Sequence, residues 1–256
     1  MYKRMSGCVM ALALLFGGAA GAVADQVVDD MKFMREEEKL ARDVYATLYD
    51  HFYSQGTTLY VFDHIASSEQ RHMDAMLNLL AKYGIPDSAV DGGQGVYPDS
   101  CPWDGKDTEA CQFNNDDLAK LYRRLIKDGE KSPLAAFLVG AYIEELDISD
   151  LFEAIATAAD FQIIQSVYGN LLCGSGNHLR AFARNIELMT GLSYLEATED
   201  YLAAIRPDEG KTGYAEYMAA LDAILTGDME RCGKGIGQGP KGPQGPNKPQ
   251  GRRGWQ

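Results

Sequence analysis

The sequence predicts an all-α fold, and three observations lead to this prediction. Apolar residues recur at steps of three and four along several long segments, and the alternation typical of strands is nearly absent. Residues that end or start helices stand between these segments, the clearest being Gly84 and the pair Ser132 and Pro133. We therefore expect a domain built from packed helices.

Helical segments follow one another along the chain. They run from Gln26 to Tyr53, Tyr60 to Tyr83, Asp117 to Lys127, Pro133 to Thr157, Asp160 to Thr190, Tyr194 to Ile205 and Tyr214 to Leu225. We expect Asn115 or Asp116 to cap the third segment and Asp160 to cap the fifth. Gly174 and Gly176 are predicted to interrupt the fifth segment. A long loop, residues 85–114, separates the second segment from the third.

Residues 1–24 have the pattern of a secretory signal peptide. Lys3 and Arg4 precede an apolar run, and Ala22, Val23 and Ala24 form an A-x-A cleavage pattern before residue 25. We expect cleavage after Ala24 and a periplasmic or secreted mature protein. The rest of the sequence contains no stretch that is apolar enough to predict a membrane span.

The mature chain divides into a body and a tail. Residues 25–190 are predicted to form the main helical domain, and residues 191–232 a helical extension of it. Residues 233–256 are rich in Gly and Pro, carry only basic charges and are predicted to be disordered. This tail is either a plain flexible segment or a contact to an anionic surface or to the acidic body.

The charge balance disfavours one class of partner. The chain has 37 acidic and 24 basic residues, a net charge of −13, and seven of the basic residues lie in the signal and the tail. Such an acidic body argues against binding to nucleic acid. It favours metal cations as partners, although the same charge also serves solubility. Self-association into a homo-oligomer is left open.

Four cysteines follow the signal peptide, and an even number in an exported chain suggests disulfides. Three pairings are open. Cys101 and Cys111 are the natural local pair, because both lie in a loop rich in Gly, Pro, Asp and Asn. Cys173 would then pair with Cys232.

Charged residues on apolar helix faces need an explanation, because a buried charge is costly unless it is paired or binds a metal. Glu38 completes the apolar face of the first helix, whereas Glu36 and Glu37 are expected to be solvated beside it. On the second helix, Glu69 and His72 lie one turn apart in the middle of an apolar face. The alternative in each case is a solvent-exposed polar face.

Two later helices add further donors. Periodicity on the fourth segment places either Glu144 or Glu145 toward the core and does not separate them, while Asp147 lies one turn from Glu144. His178 lies on the apolar face of the fifth segment. Oxygen and nitrogen donors without cysteine suit iron or manganese, as one or two ions, better than structural zinc. The alternative for these residues is a hydrogen-bonded core without metal.

Four segments in order resemble the signatures of a known family. MREEEKLARDVY, SSEQRHMDAMLNLLAKYG, VGAYIEELDISDL and GSGNHLRAF look like those of a prokaryotic family of ferritin-like domains, catalogued as domain of unknown function 2202. The resemblance covers residues 31–190, with a weaker similarity near residues 214–225. It implies a ferritin-like four-helix bundle whose long crossover carries the short third helix.

The resemblance also implies a two-metal carboxylate site. Its ligands would be Glu38, Glu69, His72, Glu145 or Glu144, and His178. The sequence departs from the superfamily pattern at Ser175, three residues before His178, where a second Glu-x-x-His would have its Glu. Asp147 could replace that carboxylate, or the site could hold one metal ion or none. Tyr45, two turns after Glu38, would support the site.

These expectations favour an exported protein that binds iron or manganese and performs oxidase, peroxidase or ferroxidase chemistry. The alternative is a non-catalytic helical binding or structural module whose metal site is incomplete because of Ser175. Metal storage in a cage is a weaker third hypothesis. A hydrolase is disfavoured, because the segment around Ser175 is helical instead of the strand-turn-helix of a nucleophile elbow.

Overall fold

The computed structural model describes residues 18–89, 111–207 and 213–228, and over these ranges it contains helices and no strands. The helices are α1 (Gly18–Ser54), α2 (Tyr60–Lys82), α3 (Asp116–Gly129), α4 (Pro133–Thr157), α5 (Gln162–Thr190), α6 (Tyr194–Leu202) and α7 (Tyr214–Thr226). The predicted all-α class is confirmed. None of the helices in the described ranges is long and apolar enough to cross a membrane.

Most helix ends follow the predicted chemistry. The side chain of Asn115 accepts hydrogen bonds from the first turn of α3, and Ser132 caps α4 with Pro133 in the first turn. Gly84 adopts a positive φ of 69° just after α2, as a helix-ending glycine does. The predicted cap Asp160 is wrong, because this residue is exposed and α5 begins without a side-chain cap.

Two other predictions of helix limits are wrong. α5 continues without a break through Gly174 and Gly176, because the packing of neighbouring helices outweighs the weak helix preference of glycine. α1 begins at Gly18, before the predicted start at Gln26, and passes through the predicted cleavage position.

The four long helices contact one another in the cyclic order α1, α2, α5, α4. α3, in the connection between α2 and α4, packs against α1 and α4. α6 packs against α4 and α5, and α7 packs against α5. One continuous apolar core runs through all of them, with Tyr45, Phe62 and Phe182 among its fully buried side chains. The space between the four long helices is where polar donors meet.

The middle of α1 is buried on every side. All residues from Met34 to Leu48 are buried, although this stretch contains seven charged side chains. Glu36 and Glu37, which were predicted to be solvated, are each only 2% exposed. The prediction is wrong because α1 packs against α2, α3 and α4, which leave no face of this stretch open to water.

Most charges on α1 have specific partners. Arg35 forms a two-pronged ion pair with Asp87, and Glu36 accepts hydrogen bonds from the backbone of Asn114 and Asn115 at 2.8 Å. Lys39 and Arg42 both pair with Asp43 at 2.6 Å, and Arg42 also donates to Gln70. This pairing offsets the desolvation of the buried charges.

Candidate metal centre

Five of the predicted donors converge between the four long helices. α1 supplies Glu38, α2 supplies Glu69 and His72, α4 supplies Glu144 and α5 supplies His178. The one-turn spacing of Glu69 and His72 places both on one face of α2. The donors form two groups that share Glu69, one with Glu38 and His72 and the other with Glu144 and His178. Within each group the donor atoms lie within 4.8 Å of one another.

Glu69 lies between the two imidazoles. Its Oε2 is 2.7 Å from Nδ1 of His72, and its Oε1 is 2.6 Å from Nδ1 of His178. On the outer sides, Oε2 of Glu38 is 3.2 Å from Nδ1 of His72, and Oε1 of Glu144 is 3.5 Å from Nδ1 of His178. The imidazole rings stack with centroids 5.4 Å apart. The arrangement is therefore nearly symmetrical about Glu69.

The donor atoms are buried and poorly satisfied. Glu38, Glu69 and Glu144 are at most 2% exposed. Both oxygens of Glu69, Oε1 of Glu38 and Nδ1 of His178 have no well-aligned hydrogen bond to any described residue, despite their short contacts. An unsatisfied buried polar atom costs about 1–3 kcal/mol. Buried oxygen and imidazole donors that lack aligned partners could hold a metal ion.

The donors also set one another's ionisation. Burial raises the pKa of Glu38 and of Glu144 to about 7, against the lowering effect of the adjacent imidazoles. Burial acts in the same direction on Glu69, but the two imidazoles outweigh it and hold its pKa well below its usual range. Burial lowers the pKa of both histidines, but the carboxylates outweigh it and raise that of His178 to about 10 and that of His72 well above 6.5. These pKa directions favour an ionised Glu69 between two protonated imidazoles.

Comparison with known protein families identifies the family of this chain. The family model described as an uncharacterized protein domain, DUF2202, matches residues 27–101 and 103–204. The chain belongs to the DUF2202 family. All five donors lie inside the matched ranges.

An uncharacterized protein of Methanocaldococcus jannaschii, MJ0754, is similar to this DUF2202 chain. It is 43% identical over 162 residues, which are 63% of this chain and 76% of that protein. The crystal structure of the same archaeal protein superimposes with a TM-score of 0.53 at 40% identity, covering 69% of this chain and 91% of the archaeal one. The fold described above is therefore similar to one that has been observed experimentally.

Tyr45 supports the centre of this DUF2202 domain from α1. Its hydroxyl donates to Oε1 of Glu144 at 2.7 Å, and its ring packs against Phe62 and Phe182. Burial, followed by the charge of Glu144, raises the pKa of Tyr45 well above its usual value, so the hydroxyl keeps its proton and acts as a donor. The aromatic packing fixes the hydroxyl and hence one oxygen of Glu144.

Gly174 makes room for His72, a role that the sequence did not reveal. A Cβ atom at position 174 would lie 2.4 Å from Nε2 of His72. The absence of a side chain on α5 therefore lets the imidazole of His72 lie against the α5 backbone. A glycine inside an otherwise regular helix was the available signal, but it was interpreted as a helix breaker.

Glu145 is not with the other predicted donors. Arg206 holds it with two hydrogen bonds of 2.6 and 2.9 Å, and the hydroxyls of Tyr194 and Tyr217 donate to it at 2.7 and 2.5 Å. Of the two adjacent glutamates on α4, Glu144 therefore contributes to the centre and Glu145 faces the C-terminal helices. Nothing in the sequence pattern indicated the residues that bind Glu145.

Asp147, the additional ligand candidate, lies near the centre without belonging to either donor group. Its Oδ2 accepts a hydrogen bond of 2.5 Å from Ser175, the residue where the family pattern predicted a carboxylate.

The predicted disulfide between Cys101 and Cys111 includes a residue outside the described ranges, so this pairing stays a prediction. Cys173 lies on α5, and its predicted pairing with Cys232 also stays a prediction. Cys232 also lies outside the described ranges.

Proposed function

We propose that this DUF2202 chain is a ferritin-like protein that binds iron or manganese at the five-donor centre and uses it for oxidative chemistry. The observation that carries the proposal is the pair of donor groups sharing Glu69, buried between four helices. The cyclic packing of α1, α2, α5 and α4, with α3 in the crossover, supports a ferritin-like arrangement.

The five proposed ligands fall into two groups that share Glu69. Glu69 would serve both donor groups, while Glu38 with His72 and Glu144 with His178 would complete one group each. A bound iron or manganese ion with an open position would supply dioxygen or peroxide activation, or oxidation of Fe(II). The apolar core around the donors limits water, which strengthens electrostatic interactions inside the centre.

Metal binding is tested by loading the purified protein with Fe(II) or Mn(II) without oxygen, removing excess metal and measuring bound metal by elemental analysis. Wild-type protein is expected to retain metal, and Glu69→Gln to lose most of it, because the amide removes the charge shared by both positions. Glu199→Gln on the exposed face of α6 is the control and should bind as wild type. Wild-type protein with no more metal than a blank would refute the proposal.

Oxidative chemistry is tested separately by adding oxygen or peroxide to the Fe(II)-loaded protein. We expect iron oxidation that is faster than in the Glu69→Gln variant at equal iron concentration, followed by absorbance and oxygen consumption. Equal rates of iron oxidation in the two proteins would show that the protein binds metal but does not catalyse this oxidation.

A second function is favoured by one specific observation. Glu69 already has an imidazole within 2.7 Å on each side, so the centre also forms a charge network of its own. Such a network would suit a binding or structural module without catalysis. An unchanged melting temperature on metal addition, in wild type and in Glu69→Ala alike, would support the module and argue against the metal centre.

We also propose export, on the signal pattern that ends at Ala24. N-terminal sequencing of the full-length protein produced in a bacterium that exports proteins should give a mature chain beginning at Asp25. An intact N-terminus would contradict export.

A further inference from the structure

A groove with a cavity volume of about 550 Å³ lies between α4 and α7. Most of its lining is apolar, with Ile148 and Phe152 on the α4 wall and Leu221 and Ile224 on the α7 wall. Phe152 is 43% exposed, although it is a large apolar side chain. A concave apolar surface of this size is typical of a binding site.

The charged residues that line this groove are all acidic over the part of the chain that the structure describes. Glu153 on α4 and Glu216 on α7 are exposed, one on each wall. Glu145 also lines the groove, but Arg206 balances its charge. An apolar interior beside exposed carboxylates suits a segment in which an aromatic side chain stands next to basic ones.

The tail of this chain, residues 233–256, contains such a segment. Trp255 is the only aromatic residue of the tail, and it closely follows Arg252 and Arg253. All charged residues of the tail are basic. Trp and Arg are among the residues that contribute most to the free energy of binding at interfaces. The tail therefore complements the groove in both apolar character and charge.

The chain between α7 and Trp255 is long enough to return to the groove. α7, which forms one wall, has 13 residues and is about 20 Å long. Residues 229–251 connect Asp228, just after α7, to Arg252. A Gly-rich chain of this length spans roughly 25–30 Å on average. Every part of the groove is therefore within reach of Trp255.

We propose that the groove between α4 and α7 is the docking site of this chain's own tail. The indole of Trp255 enters the groove, and the guanidinium groups of Arg252 and Arg253 lie near the carboxylates of Glu153 and Glu216. The groove would bind the tail whether or not the five-donor centre holds metal.

Covalent linkage makes a weak contact sufficient for docking. A flexible linker gives the tail an effective concentration of about 1 mM or more at the groove. A contact whose Kd is about 0.1 mM then keeps the tail bound about 90% of the time. One buried indole and two ion pairs at the rim of the groove are enough for a contact of this strength.

Tryptophan fluorescence of the full chain tests the docking. Trp103→Phe leaves Trp255 as the sole tryptophan. Quenching by acrylamide, which is uncharged, measures how accessible the indole is. We expect quenching about tenfold slower than in a synthetic peptide of residues 246–256, because an indole that is bound about 90% of the time is accessible for about a tenth of it. Equal quenching in the protein and in the peptide would overturn the proposal.

One pair of variants tests the groove as the site. Ala220→Phe fills the groove, whereas Ala219→Phe puts the same side chain on the exposed face of α7. We expect Ala220→Phe to raise the quenching of Trp255 to that of the peptide and Ala219→Phe to leave it slow. Equally slow quenching in both variants would show that the tail does not occupy the groove.

A second pair changes only the tail and stays informative if Ala220→Phe fails to fold. Arg252→Glu with Arg253→Glu reverses the charge beside Trp255, and Lys234→Glu with Lys241→Glu makes the same change of net charge further away. We expect fast quenching in the first double variant and slow quenching in the second. The same quenching rate in the two would contradict the contact of the arginines with the rim.

Charge exchange and dilution identify the partner of the tail. Glu153→Lys with Glu216→Lys should release the wild-type tail and should again protect Trp255 when Arg252 and Arg253 are both replaced by Glu. Failure of this combination to restore slow quenching would contradict the proposed ion pairs. Docking within one chain is independent of protein concentration, so protection that disappears on dilution would assign the groove to the tail of a second copy and overturn the proposal.

Discussion

The imidazole of His72 fits against α5 because position 174 is glycine. Replacing Gly174 with alanine puts a methyl group into the space of Nε2, and the flexible histidine yields more easily than the helix. We expect Gly174→Ala to keep the fold but to weaken metal binding by at least about tenfold, since a supporting residue of a ligand is worth that much. Calorimetric titration with Mn(II) measures the loss.

Gly169 provides a matched control on the same helix. A Cβ atom there would meet nothing within 4 Å, so Gly169→Ala should bind metal normally and raise stability by about 0.5–1 kcal/mol through helix propensity. Equal metal affinity in the two alanine variants would show that the close approach of His72 to α5 does not affect metal binding.

Protons compete with metal at the same donors. Glu38 and Glu144, with pKa values of about 7, hold protons at pH 6, and His178 keeps its proton up to about pH 10. Metal uptake must release these protons, so affinity should rise with pH. We expect roughly a tenfold gain or more per pH unit between pH 6 and 8. Titrations in buffers of different ionisation enthalpy measure the released protons, and a pH-independent affinity would contradict the assignment.

At the scale of single helices, Glu145 anchors the C-terminal extension to the main domain. Its carboxylate accepts hydrogen bonds from Arg206, Tyr194 and Tyr217, which lie on or beside α6 and α7. Removing its charge by Glu145→Gln leaves the partly buried Arg206 without its charged partner, which costs about 1.5–3 kcal/mol. We expect faster proteolysis and hydrogen exchange in α6 and α7.

The same variant separates the anchor from the metal centre. Metal stoichiometry in Glu145→Gln should equal that of wild type, because Glu144 and not Glu145 belongs to the donor groups. Loss of metal together with an undisturbed C-terminal region would contradict this division between the two neighbouring glutamates.

Helix positions were largely predictable from sequence, because the periodicity of apolar residues and the caps Asn115 and Ser132 are local signals. The choice between Glu144 and Glu145 could not be predicted from the sequence, because both adjacent residues of this almost wholly buried helix fit an apolar face. The partners of Glu145 come from residues far along the chain, and a helical period contains no information about them.

α1 shows the limit of pattern-based prediction most clearly. The sequence pattern correctly predicted that Glu38 is buried. It wrongly predicted that Glu36 and Glu37 are exposed to water, because charged residues normally mark an exposed face. Burial of the whole segment depends on α2, α3 and α4 and on backbone donors at Asn114 and Asn115. Such partners become visible only after the chain is folded.

For the whole molecule, metal should act as a stabiliser. The centre confines three carboxylates and two imidazoles with incomplete hydrogen bonding, and a metal bound there as proposed would bind only the folded form strongly. At a metal concentration of about 100 times Kd, the free energy of unfolding should rise by about 2.7 kcal/mol. Thermal melts with Mn(II) and with a chelator measure this difference, and identical melting temperatures in both would contradict it.

The five donors come from four helices, with Glu38 on the first and His178 on the last. An unfolded chain cannot bring these side chains together, so the five-donor set exists only in the folded protein. A metal ion bound there as proposed would therefore come from the cations available where the chain completes its folding. If folding follows export, the composition of the destination compartment, and not that of the cytosol, would determine which metal is bound.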